Sequence, residues 1–346
     1  RQMCIRDSIT SDVNRRYFTG LGSTAGTLLA FRVAAYFIID FRYIEVAKAT
    51  VTGAKVILQD KLYDQLGELV KKHGARTVTI ETDYITVGSL EQYRSRLPQV
   101  EFLTAAALND KILEMRSLKD EEEIAAIRKA QSITDAAFLE ILDFIKPGKT
   151  EKEVAAYLEY CMRRLGADGL AFETIAAGGP NSAKPHAVPG DRPLRQGDFF
   201  TMDYGAYWGG YCSDMTRTVA VGEPTEEMRR VYDTVLAAQL LGIEKAVVGA
   251  SCRAVDAAAR ELIYNAGYEG CFGHSLGHSV GIEIHEMPGF SPSIAPETTA
   301  KEGMVITVEP GIYLEGRFGV RIEDMVWLAP DGTKDLTNSP KELIIL

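Results

Sequence analysis

The chain of 346 residues is 46% hydrophobic and 25% charged, so it is long enough for two globular domains with buried cores. Its 48 acidic and 38 basic residues leave a net charge of −10, which argues against nucleic-acid and anionic-membrane partners. No apolar run approaches the roughly 18 to 20 residues that span a bilayer. The five cysteines are scattered without a C-x-x-C pair, which favours reduced thiols and a cytoplasmic location over a disulfide scaffold.

At the N-terminus, residues 1–8 do not blend into the sequence that follows them, and residues 9–20 have the pattern of a strand end and its loop. We hypothesise that residues 1–8 are foreign and that the natural start, together with a first helix, is missing. A source gene that encodes a helix ahead of Ile9 would support this hypothesis, and a gene that begins as the chain does would refute it.

Strand and helix patterns alternate up to about Asp110. Short apolar stretches separated by turn residues predict strands at 27–32, 35–40, 56–58, 77–81 and 100–103. Helical spacing of apolar residues between them predicts helices at 61–73 and 87–96. The sequence therefore predicts a small α/β domain over residues 1–112.

Helical patterns dominate the next part of the chain. Asp120 can cap the main segment of a helical stretch at 110–144, because acidic residues follow it in the first turn. Thr150 and Glu153 form the capping-box pattern that begins the next helix. Two further helices are predicted at 228–248 and 252–266. They interrupt a region rich in strands and glycine, so we expect a second domain over residues 113–346.

Two aspartates occupy a predicted hairpin at 199–222, whose strands flank a turn at Trp208 and Gly209. Pairing about that turn places Asp203 directly opposite Asp214, with both side chains on the same face. Two facing carboxylates repel each other unless a cation lies between them. The pairing therefore predicts a metal site.

A second predicted hairpin, at 304–328, repeats this arrangement. With its turn centred at Gly316, Glu309 faces Glu323 from strands otherwise built of Val, Ile and Met. Acidic side chains embedded in apolar strands would each carry a desolvation cost of several kcal/mol if left unpaired. Two divalent cations would remove that cost, and the two registers together favour a metal site over isolated, solvated acids.

The histidines His186, His274, His278 and His285 fall in the same half of the chain as these acids. Taken singly, a histidine is more often a core residue with satisfied hydrogen bonds, and a strand aspartate is more often a hairpin residue. His274 and His278 could also share one face of a helix, and the nearby Cys271 could indicate zinc. Carboxylates with an imidazole form a hard, oxygen-rich ligand set, which favours Mn²⁺, Fe²⁺ or Co²⁺.

These motifs resemble those of the proline-specific members of the methionine aminopeptidase-like, or pita-bread, superfamily: Xaa-Pro dipeptidase (prolidase) and aminopeptidase P. The matching stretches are MDYGAYWGGYCSDMTRT at 202–218, HSLGHSVGIEIHE at 274–286, VEPGIY at 308–313 and VRIEDM at 320–325. DFRY at 40–43 also matches, so the resemblance covers essentially the whole chain. It implies an α+β fold in which a small creatinase/prolidase-like α/β domain precedes a pita-bread catalytic domain.

The resemblance also implies a site of two divalent metal ions, with Mn²⁺ favoured and Co²⁺, Fe²⁺ or Zn²⁺ as alternatives. Its five ligands would be Asp203, Asp214, His278, Glu309 and Glu323. Of these, Asp214 and Glu323 are similar to bridging carboxylates, and Glu309 is similar to the proton shuttle of the family.

Other site residues are likewise implied by the resemblance alone. His285 matches the histidine that supports the tetrahedral intermediate, and His186 matches the one that contacts the residue after the cleaved bond. His274 resembles a histidine that lines the pocket near the proline. Arg321 and Tyr313 resemble residues that support the ligands and the substrate, with a plain counter-charge to the carboxylates as the alternative role of Arg321.

The implied activity is hydrolysis of the bond before proline at the N-terminus of short peptides by a homodimer. Such a bond lacks the N–H donor on which general peptidases depend. Chain length favours a dipeptidase over the often longer aminopeptidase P. Two alternatives share the fold: a creatinase-like hydrolase that works without metal, and a non-enzymatic binding module that has lost its ligands. The complete ligand set argues against both.

Overall fold

The computed structural model describes residues 6–346, and the chain divides into two compact units, residues 1–116 and 117–346. None of the helices described between residues 6 and 346 combines the length and the apolar composition that crossing a membrane requires. The hypothesis that residues 1–8 are foreign falls mostly on residues 1–5, which lie outside the described part. Arg6–Ile9 form a strand that pairs with two neighbours.

The first unit contains a six-stranded sheet flanked by helices. Its strands are β1 (Arg6–Ile9), β2 (Thr27–Phe31), β3 (Ala34–Ile39), β4 (Lys55–Leu58), β5 (Thr77–Ile80) and β6 (Glu101–Leu103), in the sheet order β4-β3-β2-β1-β5-β6. Its helices are α1 (Asp12–Thr19), α2 (Ile44–Thr50), α3 (Leu62–Lys72), α4 (Val87–Arg96) and α5 (Ala107–Ser117). The strands and helices predicted up to residue 103 are confirmed to within one residue at either end.

Helices cover both faces of this sheet because its central strands are apolar at successive positions. In β3, Tyr36 and Ile38 pack with residues of α3 and α4, whereas Phe37 and Ile39 pack with residues of α2 and α5. Successive residues of a strand point to opposite faces, so an uninterrupted apolar run is buried on both.

Residues 9–20 do not form the predicted strand end and loop, because they contain helix α1. Ser11 caps this helix by accepting the N–H of Asn14, and Gly20 ends it with a φ of 72°. Asn14 and Arg15 are among its buried residues, so its inward face carries no apolar stripe from which periodicity could predict a helix. The short helix α2 was also missed, and Ala47 is its buried residue.

The second unit alternates helix pairs with groups of strands. Its helices are α6 (Glu121–Ile141), α7 (Glu151–Arg164), α8 (Glu226–Lys245) and α9 (Cys252–Ile263). The strands before α8 are β7 (Gly169–Leu170), β8 (Ile175–Gly178), β9 (Asp198–Tyr204), β10 (Ala206–Trp208), β11 (Tyr211–Cys212) and β12 (Met215–Val221). Those after α9 are β13 (Gly277–Ser279), β14 (Glu286–Phe290), β15 (Val305–Val308), β16 (Gly311–Leu314), β17 (Phe318–Arg321), β18 (Asp324–Ala329) and β19 (Gly332–Asp335). The predicted cap Asp120 and the predicted capping box at Thr150 are both present, and Asp120 forms a capping box with Glu123 as well.

Each helix pair covers one face of a sheet and leaves the acids on the other. Helices α6 and α7 pack on the sheet β12-β9-β8, and α8 and α9 pack on the sheet β14-β13-β15-β18-β19. In β9, Phe200, Met202 and Tyr204 pack with residues of α6 and α7. Because side chains alternate along a strand, Thr201 and Asp203 point to the opposite face.

Candidate active site

The register of the first acidic hairpin differs from the prediction. Asp203 lies opposite Thr216, and not opposite Asp214. The turn falls on Gly209 and Gly210, whose φ values are 59° and 97°. A two-residue hairpin turn of this type needs positive φ at both central positions, which this glycine pair adopts readily. The predicted turn lay one residue too close to the N-terminus, so Asp203 pairs with the residue two positions beyond the predicted partner. A shift of two residues keeps both aspartates on the same face of the hairpin.

The second acidic hairpin has the predicted register. The pairs β15–β18 and β16–β17 share one register across the hairpin, which places Glu309 opposite Glu323. Both acids lie in short breaks between the paired segments. There the N–H of Glu309 donates to the Leu276 carbonyl at 2.7 Å, and the N–H of Glu323 donates to the Thr216 carbonyl at 3.1 Å. These bonds tie each acid to a neighbouring part of the unit.

Side chains from both hairpins converge on His278. Ligand atoms of Asp214, His278 and Glu323 lie within 4.8 Å of one another. Nε2 of His278 is 3.4 Å from Oδ2 of Asp214 and 3.5 Å from Oε1 of Glu309. Nδ1 of His278 lies 3.2 Å from the Ser279 carbonyl, which can only accept, so Nδ1 carries the proton and the Nε2 lone pair faces the carboxylates.

This cluster of acids has the electrostatics of a cation site. Burial, together with the charges of Asp203 and Glu309, raises the pKa of Asp214 well above its usual range. Burial raises the pKa of Glu309 to about 8, and burial with Asp214 nearby raises that of Glu323 well above its usual range. Burial lowers the pKa of His278 to about 4, so its imidazole is neutral. Within residues 6–346, Oδ1 of Asp203 and Oδ1 of Asp214 have no hydrogen-bond partner. Buried, partly unpaired carboxylates with one neutral imidazole fit hard divalent ions.

Arg321 connects the two hairpins beside the cluster. Its Nη2 donates to Oδ2 of Asp203 at 2.5 Å, and its Nε donates to Oγ1 of Thr216 at 3.0 Å. Thr216 in turn donates to Oε2 of Glu323 at 2.6 Å. The sequence analysis missed Thr216, although its spacing of two from Asp214 on an extended segment was the signal that both lie on one face.

A second chain of hydrogen bonds runs from Arg321 to His274. Nη1 of Arg321 donates to the Tyr313 hydroxyl at 2.8 Å, and this hydroxyl lies 2.9 Å from Nε2 of His274. Nδ1 of His274 lies 2.8 Å from the Ser275 carbonyl and must donate to it, so the tyrosine donates to Nε2. Burial, and next the charge of Arg321, lower the pKa of His274 to about 4. His278 lies in strand β13, so the alternative that both histidines share a helix face is wrong.

A cavity of about 590 Å³ opens onto these groups. It brings together all the predicted site residues except Tyr313, namely His186, Asp203, Asp214, His274, His278, His285, Glu309, Arg321 and Glu323. The ring of His285 lies edge-on to that of His278, with centroids 4.4 Å apart. Sequence reasoning did not identify the apolar lining residues Phe172, Ile175, Ile284, Met287 and Ile294.

Comparisons with known proteins agree over both units. The sequence model of metallopeptidase family M24 matches residues 125–330, and that of the creatinase/prolidase N-terminal domain matches residues 8–117. The Xaa-Pro dipeptidase of Pyrococcus furiosus is 39% identical over 338 residues, which cover 97% of this chain and 94% of that protein. A solved Xaa-Pro dipeptidase from Bacillus anthracis is 41% identical, with a TM-score of 0.94 over 99% of this chain and 95% of that chain. A solved X-Pro aminopeptidase from Thermotoga maritima is 36% identical, with a TM-score of 0.93 over 99% of this chain and 97% of that chain.

Proposed function

Because the chain belongs to metallopeptidase family M24, we propose that it uses two divalent metal ions to hydrolyse the Xaa-Pro bond at the N-terminus of short peptides. The predicted resemblance, the fold class and the assignment as a peptidase are confirmed by the family matches and the solved relatives. These relatives support neither the creatinase-like hydrolase nor the binding module. The proposed specificity for proline is based on the similarity to Xaa-Pro dipeptidases and to an X-Pro aminopeptidase.

One observation carries the metal part of the proposal: buried carboxylates from two hairpins face a neutral imidazole, with the one guanidinium of Arg321 beside them. The residues that would hold the ions are Asp203, Asp214, His278, Glu309 and Glu323. When bound, such ions would polarise the scissile carbonyl and lower the pKa of a bound water. The oxygen-rich ligand set suits Mn²⁺.

The other predicted site residues would bind the substrate and move the proton. Oε1 of Glu309 accepts a hydrogen bond from Oγ1 of Thr307 at 3.3 Å, and Oε2 of Glu309 lies 3.9 Å from Nδ1 of His274. Glu309 would carry the proton to the prolyl nitrogen as the bond breaks. His186 and His285 would donate hydrogen bonds to the substrate from the cavity wall. Homodimerisation and a cytoplasmic location stay predictions from the sequence.

A substrate panel tests the proposal. The protein is stripped with a chelator, reloaded with Mn²⁺, and assayed with Xaa-Pro dipeptides, Xaa-Pro-Yaa tripeptides and controls with alanine in place of proline. We expect Mn²⁺-dependent cleavage that needs proline, and equal cleavage of the alanine controls would refute the specificity.

A matched pair of variants tests the metal role. Asp214→Asn removes a ligand charge from the cluster, whereas Asp191→Asn removes a charge from a side chain that is 84% exposed. We expect activity and Mn²⁺ binding to be lost only in Asp214→Asn. Activity that survives both Asp214→Asn and the chelator would contradict the metal role.

A further inference from the structure

The cavity holds a single cationic group, and that group is already paired. Among the lining residues, which all belong to the described part of the chain, Arg321 provides the one guanidinium and none provides an ammonium. Its side chain is 4% exposed. The guanidinium donates to Asp203, Thr216, Tyr313 and the carbonyl of Pro185. Two divalent ions would be offset by the four acids of the cluster, which leaves the buried, hydrogen-bonded Arg321 as the positive charge in excess.

The remaining side-chain donors that line the cavity are serine hydroxyls and histidine imidazoles. Ser275 donates to Ser291 at 3.0 Å, and the hydroxyls of Ser291 and Ser293 lie 2.9 Å apart. Such donors suit the carbonyl of an amide. A carboxylate that loses its water without gaining a cation carries a large desolvation cost.

A free Xaa-Pro dipeptide must bring a carboxylate into this cavity. Its C-terminal carboxylate is bonded to the proline Cα, which lies about 3.8 Å from the preceding Cα. The carboxylate therefore stays close to the acid cluster while the scissile carbonyl is bound there. In a longer peptide the same position holds a neutral amide, and the chain can continue to the rim, where Met287 is 57% exposed.

We propose that the site selects substrates in which the proline carboxyl is an amide, either to a following residue or as a terminal amide, and disfavours the free Xaa-Pro dipeptide. This inference rests on the proposed cleavage before proline. It also opposes the expectation of a dipeptidase that chain length favours.

Three substrates isolate the carboxylate charge. At pH 8 the Mn²⁺-loaded protein is assayed for kcat/KM with Ala-Pro, Ala-Pro-NH₂ and Ala-Pro-Ala. Ala-Pro-NH₂ matches the dipeptide in length and differs only in charge. We expect both substrates whose proline carboxyl is an amide to exceed Ala-Pro at least tenfold in kcat/KM, and a value for Ala-Pro equal to or above that for Ala-Pro-NH₂ overturns the inference. Failure of the proposed function looks different, because Ala-Ala-Ala would then be cleaved as fast as Ala-Pro-Ala.

Variants at Ser293, an exposed residue of the cavity, test whether the charge of the carboxylate causes the discrimination against Ala-Pro. Ser293→Arg adds a cation, and Ser293→Gln adds a long neutral side chain as the matched control. We expect Ser293→Arg to raise kcat/KM for Ala-Pro relative to Ala-Pro-NH₂ at least fivefold, while Ser293→Gln keeps the wild-type ratio. Equal ratios in the two variants would overturn the charge explanation.

Discussion

Arg321 and Asp203, which are 118 residues apart in the chain, form an ion pair of 2.5 Å between Nη2 and Oδ2. Their side chains are 4% and 14% exposed. Oδ1 of Asp203 has no hydrogen-bond partner within residues 6–346. The pair therefore holds one oxygen of the carboxylate and leaves the other for a cation.

Replacing Arg321 by lysine should weaken metal binding. Lysine keeps the charge but loses the planar fork that reaches Asp203, Thr216 and Tyr313 together. Loss of such an orienting partner typically costs about 10–100-fold in metal affinity. Chelator competition with Mn²⁺ measures the affinity without any substrate. An unchanged affinity in Arg321→Lys would show that Arg321 is only a counter-charge.

Removing the Tyr313 hydroxyl should lower activity. Tyr313→Phe breaks both hydrogen bonds that join Arg321 to His274. Each such bond contributes about 0.5–1.5 kcal/mol, so for the two bonds together we expect kcat/KM to fall about 5–150-fold with little change in Mn²⁺ affinity. Steady-state kinetics beside chelator competition separates the two effects. A loss of metal affinity as large as that of Arg321→Lys would contradict this assignment.

The stability of the metal-free protein should fall as pH rises from 5 to 9. Burial raises the pKa of Glu309 from 4.5 to about 8, and it raises those of Asp214 and Glu323 as well. The folded state therefore binds more protons than the unfolded state above pH 4.5, so stability is lost as pH rises through 8. Each pKa unit corresponds to about 1.4 kcal/mol, and the sum is several kcal/mol.

Thermal unfolding at several pH values, with chelator and with Mn²⁺, measures this loss. With Mn²⁺ present, the cation should replace the protons and the slope between pH 7 and 9 should be smaller. Equal slopes in both conditions would show that these acids do not bind the ion.

The buried ion pair between Lys119 and Glu286 should matter far more than a surface pair. Nζ of Lys119 is 3.1 Å from Oε2 of Glu286, and the side chains are 1% and 3% exposed. Glu286 also accepts the N–H of Ile282 at 3.1 Å, so it anchors the loop before His285. We expect Lys119→Met to cost about 3–5 kcal/mol of unfolding free energy, because a buried carboxylate loses its cation.

Lys152→Met is the matched control, since Lys152 and Asp191 pair with side chains 57% and 84% exposed. This control should cost less than about 1 kcal/mol. Urea unfolding of both variants measures the difference, and equal losses would contradict the importance of burial.

Replacing Asp7 by asparagine should stabilise the first unit at alkaline pH. Burial, opposed in part by a hydrogen bond to Thr79, raises the pKa of Asp7 from 3.8 to about 7. The cost of ionising Asp7 grows as pH rises from 4 to 7 and reaches at most about 4 kcal/mol above that. Asp7→Asn should therefore gain stability over the wild type at pH 8.5 and lose the advantage near pH 4. A gain in unfolding free energy that urea unfolding shows to be the same at every pH would contradict the role of Asp7 ionisation.

Sequence patterns predicted those helices and strands that are determined by residues close to one another in the chain. The short apolar stretch at 35–40 predicts strand β3, and Asp120 and Thr150 predict helix starts because capping involves residues three apart. Helix α1 was missed because its buried face carries Asn14 and Arg15, which only tertiary packing accommodates. The register of the hairpin that contains Asp203 was predicted wrongly, because the adjacent glycines Gly209 and Gly210 allow more than one position for the turn.

The sequence by itself determined which side chains bear the chemistry, because alternation along strands places the acids of each hairpin on one face. The tertiary structure alone decided how the two hairpins meet each other and the histidines. Thr216 reaches Glu323 across 107 residues, and the cavity that lacks a free cation is lined from several parts of the second unit. Such contacts depend on how separate sheets pack against each other, and no local periodicity encodes that packing.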